Sequence, residues 1–204
     1  MKIICIGRNY VDHAKELNNP LPENPVFFLK PETALLFDNQ PFPYPDFSDD
    51  VHYETELVLK ISKKGKSIPE NQAGHYFDSI GLGIDFTARD MQQKCKEKGL
   101  PWEIAKGFDH SAPISKIFLP KSSFPELKNI RFHLLLNGKK VQEGNTRDMI
   151  FSFEEIIAYV SKFITLHPGD LVFTGTPAGV GPVKTGDILE GFIGDKPMIS
   201  CRVT

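Results

Sequence analysis

The chain has 204 residues, of which 40% are hydrophobic, and its formal net charge is −2 at pH 7. This length can bury one sizeable core, so we predict a single domain over residues 1–204. The nearly balanced charge gives no electrostatic case for binding nucleic acid or an anionic membrane, no apolar run approaches the length of a membrane span, and the first residues lack the features of a signal peptide. We therefore expect a cytoplasmic protein whose partner is a small molecule or another protein.

The three cysteines, Cys5, Cys95 and Cys201, are widely spaced and contain no CxxC pair. An odd number with this spacing argues against a disulfide framework and against a zinc cluster. We expect reduced thiols that mostly fill the core.

The first 53 residues combine a strand, a helix and a proline-rich stretch. Residues 2–7 form an apolar run that predicts a strand, and a short helix is predicted from about Tyr10 to Leu17. Residues 18–53 are rich in proline and show little periodicity, which predicts an extended loop. Four apolar residues should anchor this loop on the core: Phe27, Phe28, Leu35 and Leu36.

His13 and Glu16 lie three residues apart on the first predicted helix, so they share one of its faces. A carboxylate beside an imidazole can orient the ring as a general base. The same spacing is typical of an exposed ion pair, and the local sequence by itself favours that alternative.

The stretch HYETELVLKI, residues 52–61, predicts a strand with two glutamates on one face. Side chains alternate along a strand, so Glu54 and Glu56 point the same way, and His52 alternates onto that face as well. If they are buried, two like charges this close need pairing, protonation or a cation. The alternative is a strand end where both carboxylates are solvated, and for His52 an exposed strand end is the favoured interpretation.

Asp85 ends a run, residues 79–86, that predicts a buried strand, and it precedes a helix predicted from about Thr87 to Lys98 and ended by Gly99. A carboxylate at this joint can cap the helix N-terminus or act as a third oxygen ligand. Three carboxylates without a cysteine or a paired-histidine motif favour a hard ion, Mg²⁺ or Mn²⁺.

Three further stretches offer polar groups. Arg89 and Gln92 share a face of the second predicted helix. They could bind a ligand, Arg89 by holding a carboxylate with its forked guanidinium and Gln92 through its amide, or they could be ordinary helix surface. Lys106 is a lone lysine among apolar and turn residues, so it is either solvated or held near an anion. Residues 174–182, TGTPAGVGP, let the backbone approach a ligand closely, but the lysine of a phosphate loop is missing and no helix follows, which argues against a nucleotide site.

The remainder of the chain is rich in short strands. The dipeptide Asn137-Gly138 predicts a hairpin within residues 131–142, and a capping box of Ser152 and Glu155 starts a helix from about Phe153 to Ile164. Further strand-like runs cover residues 170–175, 187–193 and 198–203. The whole pattern predicts a mainly β fold with few helices, in the α+β class.

Seven motifs, taken together, resemble one known family. In chain order they are GRNYVDHAKE, PVFFLKPETAL, YETELVLKI, GIDFTARDMQ, WEIAKGFDHSAP, NGKKVQEGNTRDMIFS and LHPGDLVFTGTPAGVGP. Their order and spacing are similar to those of the fumarylacetoacetate hydrolase superfamily, and most similar to its short, single-domain acylpyruvate hydrolase and oxaloacetate decarboxylase-like branch. The resemblance runs from Ile6 to about Asp187 and implies the fumarylacetoacetate hydrolase-like mixed β-roll and a homodimer. The tail from Glu190 lacks the family's usual glycine-rich ending.

The resemblance also implies roles for the residues singled out above. The ligands of Mg²⁺ or Mn²⁺ would be Glu54, Glu56 and Asp85. The residues in contact with the substrate would be Lys106, Arg89, Gln92 and Thr176. His13 and Glu16 would form a catalytic pair on a lid, residues 10–24, that becomes ordered when the substrate binds, whereas His52 is not a ligand in the family.

The function implied by the resemblance is metal-dependent cleavage of a carbon–carbon bond in a 2,4-dioxo acid, of the acylpyruvate or fumarylpyruvate type. His13 would activate water, and a pyruvate enolate stabilised by the metal and Lys106 would be released. The same site would serve oxaloacetate decarboxylation or tautomerisation, or isomerisation of 2-hydroxyhepta-2,4-diene-1,7-dioate. A non-catalytic metal-binding protein is the alternative from a different class, disfavoured because the ligand, lysine and lid positions all carry competent residues.

Overall fold

The structure, a computed structural model, describes residues 1–17, 20–37 and 39–204. The strands are β1 Ile3–Gly7, β2 Val26–Lys30, β3 Leu35–Leu36, β4 Val51–Tyr53, β5 Thr55–Ile61, β6 Phe77–Ile84, β7 Thr87–Ala88, β8 Ala112–Pro113, β9 Leu119–Pro120, β10 Arg131–Leu136, β11 Lys139–Asn145, β12 Leu171–Phe173, β13 Gly181–Pro182, β14 Ile188–Ile193 and β15 Lys196–Arg202. The α-helices are α1 Val11–Glu16, α2 Glu70–Ala73, α3 Arg89–Lys98, α4 Glu103–Lys106 and α5 Phe153–Phe163. Strands outnumber helices, as predicted.

A six-stranded mixed sheet carries the middle of the molecule, in the order β2-β1-β12-β5-β6-β9. Strands β1 and β12 run parallel, with Ile3 opposite Leu171, and the other neighbours are antiparallel. The side chains of β1 and β12, and most of those of β5 and β6, are buried. Burial on both faces explains why these segments are nearly continuous apolar runs rather than alternating ones.

A second sheet, antiparallel and in the order β11-β10-β14-β15, packs against β6. The turn between β10 and β11 has positive φ angles at Asn137 (52°) and Gly138 (78°), which confirms the predicted hairpin. The tail that departs from the family pattern forms the end of β14 and all of β15, and the two strands pair from Ile188 opposite Arg202 to Ile193 opposite Lys196, with a register shift between Gly191 and Phe192. The tail therefore supplies the edge strand of this sheet.

Helix α5 begins with the predicted capping box. The Ser152 side chain accepts a hydrogen bond from the Glu155 amide, and the Glu155 carboxylate accepts one from the Ser152 amide. The apolar face of α5, which includes Ile156, Ile157 and Val160, lies in the main core. The helix predicted over residues 153–164 is therefore confirmed.

The three cysteines are free and buried, as expected for thiols that fill the core. Within residues 1–17, 20–37 and 39–204, none of the helices has the length and apolar character needed to cross a bilayer.

The prediction of an extended loop over residues 18–53 is wrong in part. Residues 26–30 form β2, which pairs along the whole of β1 from Ile3 opposite Lys30 to Gly7 opposite Val26. Prolines at 25 and 31 flank this strand. Proline removes a backbone donor only at its own position, so it limits the strand at both ends without preventing the residues between from pairing. Residues 18, 19 and 38 of this stretch lie outside the described residues.

The prediction of one continuous strand over residues 52–61 is also corrected. The ladder breaks at Glu54: β4 pairs with β7 and β13, whereas β5 pairs with β6 and β12. The next helix begins at Arg89 rather than near Thr87, because Thr87 and Ala88 are taken up by the pairing of β7 with β4. Tertiary pairing therefore overrides the local pattern at both places.

Candidate active site

Three carboxylates meet where β4, β5 and β6 converge. Glu54 lies at the junction of β4 and β5, Glu56 is the second residue of β5, and Asp85 follows β6. Thr55 pairs with Ile84, and the backbone amide of Asp85 donates to the carbonyl of Glu54 at 2.8 Å, which draws the two chain segments together. One oxygen from each carboxylate lies within 4.8 Å of the others, and all three residues are at least 95% buried.

This burial decides between the alternatives that the local sequence left open. Glu54 and Glu56 do not form a solvated strand end. Asp85 does not cap the following helix, since the residue before α3 is Ala88 and no side chain caps that end. The three residues therefore form one buried acidic cluster.

Two cations of the predicted site are bonded to this cluster. Lys106 Nζ donates to Glu54 Oε2 and to Asp85 Oδ2, each at 2.8 Å. Arg89 Nη2 donates to Glu54 Oε1 at 2.6 Å, while its Nη1 donates to Gln92 Oε1 at 2.8 Å. Lys106 is buried, so the solvated-loop alternative is wrong, and Arg89 and Gln92 are not ordinary helix surface.

The pKa values of the cluster are shifted in opposite directions. Burial disfavours the charged form of Glu54, but the Lys106 ammonium and the Arg89 guanidinium outweigh it and hold its pKa well below the usual range. Burial, followed by the negative charges of Asp85 and Glu54, raises the pKa of Glu56 well above that of an ordinary glutamate. Although burial opposes it, the carboxylates of Asp85 and Glu54 raise the pKa of Lys106. Glu56 is thus the member of the cluster with too little positive charge nearby.

A second lysine, which the sequence reasoning missed, lies beneath the cluster. Lys30 Nζ is 2.7 Å from Asp85 Oδ1 and donates to Ser111 Oγ at 2.9 Å and to the carbonyls of Phe86 and Lys106. Its side chain has no exposure to solvent. A lysine that ends an otherwise apolar run, FFLK, is the signal that could have identified it.

The predicted histidine–carboxylate pair is present on α1. His13 Nδ1 lies 3.2 Å from Glu16 Oε2, and the histidine is buried whereas the Glu16 side chain is 32% exposed. The other oxygen of Glu16 accepts from the backbone amide of Gly179 at 2.9 Å. This bond ties α1 to the glycine-rich stretch 174–182. Tyr10 and Ala14 of the same segment are both buried.

The glycine-rich stretch also approaches the cluster directly. The amide of Gly175, where φ is +102°, donates to Glu56 Oε2 at 2.7 Å. Thr176 is buried, and its hydroxyl accepts from Gln142 Nε2 at 2.8 Å. Gln142 also accepts from the Thr55 amide, so it links this stretch to the start of β5, a role the sequence did not reveal. His52 pairs with Asp50 at 2.9 Å and is not a member of the cluster.

One cavity unites most of these groups. Its lining includes eight of the nine predicted site residues: His13, Glu54, Glu56, Asp85, Arg89, Gln92, Lys106 and Thr176. Glu16 reaches the site through its bond to His13. The lining also includes residues that sequence reasoning missed, among them Arg8, Phe28, Lys96 and Trp102. Lys96 could have been found, because it continues the i, i+3, i+7 face of α3 set by Arg89 and Gln92.

Comparison with known proteins agrees with the fold and the motifs. The family model "Fumarylacetoacetate (FAA) hydrolase C-terminal" matches residues 2–204. The chain is 48% identical over 191 residues to "Oxaloacetate tautomerase FAHD1, mitochondrial" of Mus musculus, covering 94% of this chain and 86% of that protein. It is 44% identical over 190 residues to "Oxaloacetate decarboxylase, mitochondrial" of Dictyostelium discoideum, covering 93% and 87%.

A solved structure extends this likeness to three dimensions. The crystal structure of fumarylpyruvate hydrolase from Pseudomonas aeruginosa in complex with Mn²⁺ and pyruvate is 39% identical and superposes with a TM-score of 0.94, covering 100% of this chain and 89% of that one. The predicted fold class and the resemblance to the short branch are thereby confirmed. With a family model matched from residue 2 to residue 204, the chain belongs to the fumarylacetoacetate hydrolase family and is an enzyme of that family.

Proposed function

We propose that this protein is a divalent-metal-dependent enzyme that acts on oxaloacetate or a close 2-oxo acid relative, shifting a proton between the carbon next to the 2-oxo carbonyl and its oxygen. The observation that carries the proposal is the buried cluster of Glu54, Glu56 and Asp85 with Lys106 bonded to two of its members. The tautomerase and decarboxylase names of relatives at 44–48% identity support oxaloacetate as the substrate.

The cluster fits a hard divalent ion. It offers three buried carboxylates, and the raised pKa of Glu56, caused first by burial and then by its acidic neighbours, indicates a place that lacks positive charge. Glu54, Glu56 and Asp85 would hold Mg²⁺ or Mn²⁺, which when bound would supply Lewis-acid polarisation of the 2-oxo carbonyl. The Mn²⁺ in the P. aeruginosa hydrolase structure supports a divalent ion in this fold.

The chain's own residues would bind and orient the substrate. The Arg89 guanidinium and the Gln92 amide face the cavity as donors suited to a carboxylate, and Thr176 adds a hydroxyl. The Lys106 ammonium would stabilise the negative charge that develops on the 2-oxo oxygen as the proton leaves carbon. Its buried position strengthens this interaction, because little solvent competes for the charge.

His13 would move the proton. Its imidazole, oriented by Glu16, would take the proton from the carbon next to the carbonyl and return it to oxygen. Tautomerisation needs no other step. Decarboxylation of oxaloacetate would instead release CO₂ and leave a pyruvate enolate, and it requires no base to activate water.

Carbon–carbon cleavage of a 2,4-dioxo acid is the second candidate. The His13–Glu16 pair favours it, since the same imidazole could deprotonate a water that attacks the distal carbonyl. The name of the P. aeruginosa fumarylpyruvate hydrolase supports it as well. A homodimer and a cytoplasmic location stay predictions.

The test is a Mg²⁺-supplemented assay over oxaloacetate, an acylpyruvate, fumarylpyruvate and a 2-hydroxymuconate-type dienoate. We expect the enol absorbance of oxaloacetate to fall in the presence of Mg²⁺ and to change little in the presence of a chelator. Glu54→Gln should remove most of this Mg²⁺-dependent activity, and Glu97→Gln, at an exposed glutamate of α3, is the matched control. If no 2-oxo acid is turned over with either metal, the non-catalytic metal-binding alternative takes its place.

A further inference from the structure

Two positively charged side chains line the cavity without being bonded to the acidic cluster. Arg8 and Lys96 both line the cavity, and both are only partly buried, so they lie closer to solvent than the cluster does. In the part of the chain that the structure describes, neither side chain forms an ion pair or a hydrogen bond, and Lys96 has only the ring of Trp102, 5.9 Å from its Nζ. These two charges have no assigned partner.

The other cations near the cluster are already paired. Lys106 is bonded to Glu54 and Asp85, Lys30 lies against Asp85, and Arg89 is bonded to Glu54. Burial and then the guanidinium groups of Arg89 and Arg8 lower the pKa of Lys96. The region around Lys96 therefore has an excess of positive charge, which a bound divalent ion would increase.

The backbone at Arg8 is in an unfavourable conformation for a residue with a side chain. Its φ is +59°, in the left-handed region where glycine is the usual occupant. Residues held in this region cluster at binding sites, because the surrounding structure must hold them there. The fold thus presents a guanidinium to the cavity from a turn that glycine would form more easily.

We propose that Arg8 and Lys96 bind the second carboxylate of a dicarboxylic 2-oxo acid, and so make the enzyme select dicarboxylic over monocarboxylic substrates. This rests on the proposed function, which places the 2-oxo acid end of the substrate at the acidic cluster. The Arg8 fork can hold a carboxylate with two bonds, and the Lys96 ammonium adds a point charge. Trp102 and Phe28, whose rings are 6.0 Å apart, line the cavity and limit the water that would screen these charges.

The test uses two ligands that differ only at the distal end. L-Malate and 2-hydroxybutyrate share a 2-hydroxy acid group, but malate carries a carboxylate where 2-hydroxybutyrate has a methyl group. Calorimetric titration of the Mg²⁺-supplemented protein with each ligand gives their affinity ratio. Oxalate, which has no distal group, is titrated as a separate probe of the 2-oxo acid end.

We expect the unaltered protein to bind malate more tightly than 2-hydroxybutyrate. Arg8→Gln and Lys96→Gln should each reduce this ratio about tenfold or more, since a bond to a charged partner is lost. Lys96→Arg should restore most of the ratio, and Lys96→Glu should favour 2-hydroxybutyrate. Lys98→Gln, two residues along α3 and exposed, is the control and should leave the ratio unchanged.

The outcomes separate the two proposals. An unaltered protein that binds malate no better than 2-hydroxybutyrate, or a ratio that survives in both Gln variants, overturns the distal carboxylate site. Absence of Mg²⁺-dependent oxalate binding contradicts the proposed function instead. In steady-state assays with oxaloacetate, the two Gln variants should raise KM more than they lower kcat, because the distal contact is made equally in the ground state and the transition state.

Discussion

Glu56 is a buried carboxylate whose neighbours disfavour its negative charge. Its carboxylate is buried beside Asp85 and Glu54, and among the described residues its only hydrogen bond comes from the amide of Gly175. A buried carboxylate with this surrounding either takes up a proton or needs a cation. The metal-free protein therefore carries a strain that a divalent ion would relieve.

We expect Glu56→Gln to stabilise the metal-free protein while it weakens metal binding. The amide is neutral, keeps an oxygen for the Gly175 bond and removes the repulsion from Asp85 and Glu54. Thermal unfolding with a chelator should show a higher Tm, by roughly 2–4 °C for each kcal/mol gained in a chain of this size. An unchanged or lower Tm for the variant, with Glu97→Gln as the exposed control, would contradict this account.

The same residue predicts a pH dependence for the metal-free protein. Burial and the charges of Asp85 and Glu54 raise the pKa of Glu56 in the folded state above the unfolded value, about 4.3 for glutamate. Its contribution to stability is therefore fully present below the unfolded pKa and is lost as the pH rises through the folded pKa. The check is urea unfolding with a chelator from about pH 4 to 8. As the pH rises, the free energy of unfolding of the unaltered protein should fall relative to that of Glu56→Gln. With Mg²⁺ present the trend should reverse, because the ion competes with the proton.

His13→Ala should distinguish the reactions that one site could catalyse. Hydrolysis and tautomerisation both need a base, and a positioned general base is worth about 10² to 10⁴ in rate. We expect kcat for these reactions to fall at least about a hundredfold, while decarboxylation of oxaloacetate falls much less. Lys106→Ala should reduce all three, since each develops charge on the same oxygen. Equal losses for every substrate in His13→Ala would mean that the histidine binds substrate or holds α1 in place.

At the scale of elements, α1 is the part of the site that belongs to the predicted lid. It brings His13 and Leu17 to the cavity wall. The lid predicted over residues 10–24 would carry these two side chains with it when it opens or closes.

We expect amide hydrogen exchange in residues 10–17 to be fast without ligand and slower with Mg²⁺ and oxalate, because lids come from weakly held segments. The hydrogen bond from the Gly179 amide to Glu16 holds α1 in the position seen in the structure. Glu16→Ala should raise the exchange rate further, whereas Lys15→Ala, exposed on the same helix, should not. Equal protection with and without ligand would rule the lid out.

Over the whole molecule, metal binding should be coupled to folding stability. The cluster draws its carboxylates from the β4–β5 junction, from β5 and from the residue after β6, and β5 and β6 form the longest antiparallel pair of the central sheet. An ion bound there stabilises the folded state only, by about 2.7 kcal/mol at a hundred times its Kd. Loss of the ion thus weakens the centre of the fold rather than its edge.

We therefore expect Mg²⁺ or Mn²⁺ to raise the Tm in proportion to the logarithm of its concentration. Glu54→Gln and Asp85→Asn should stay folded and lose this response together with most activity. Calorimetric titration supplies the direct check, and unchanged metal affinity in Glu54→Gln, Glu56→Gln and Asp85→Asn alike would eliminate the proposed metal site.

The sequence by itself determined those features that depend on local chemistry. The hairpin at Asn137-Gly138, the capping box of α5 and the buried central strands follow from turn geometry, capping and apolar runs, and each appears as predicted. The chemical types of the site residues could also be identified, because carboxylates, a lone lysine and a histidine–glutamate pair stand out in the chain. Their assembly into one site, however, was proposed from the family resemblance and not from spacing.

Tertiary structure alone decided what depends on neighbours distant in sequence. Val26–Lys30 is a strand because β1 offers it a free edge, and the ladder breaks at Glu54 because β4 and β5 pair with different partners. Lys30 lies 55 residues from Asp85 in the chain, so no local pattern connects them. The pKa values of Glu54 and Glu56 shift in opposite directions although burial raises both, since only Glu54 is hydrogen-bonded to Lys106 and Arg89. The charge of each group is set by which side chains the fold brings against it, and that information is not contained in any short segment of the chain.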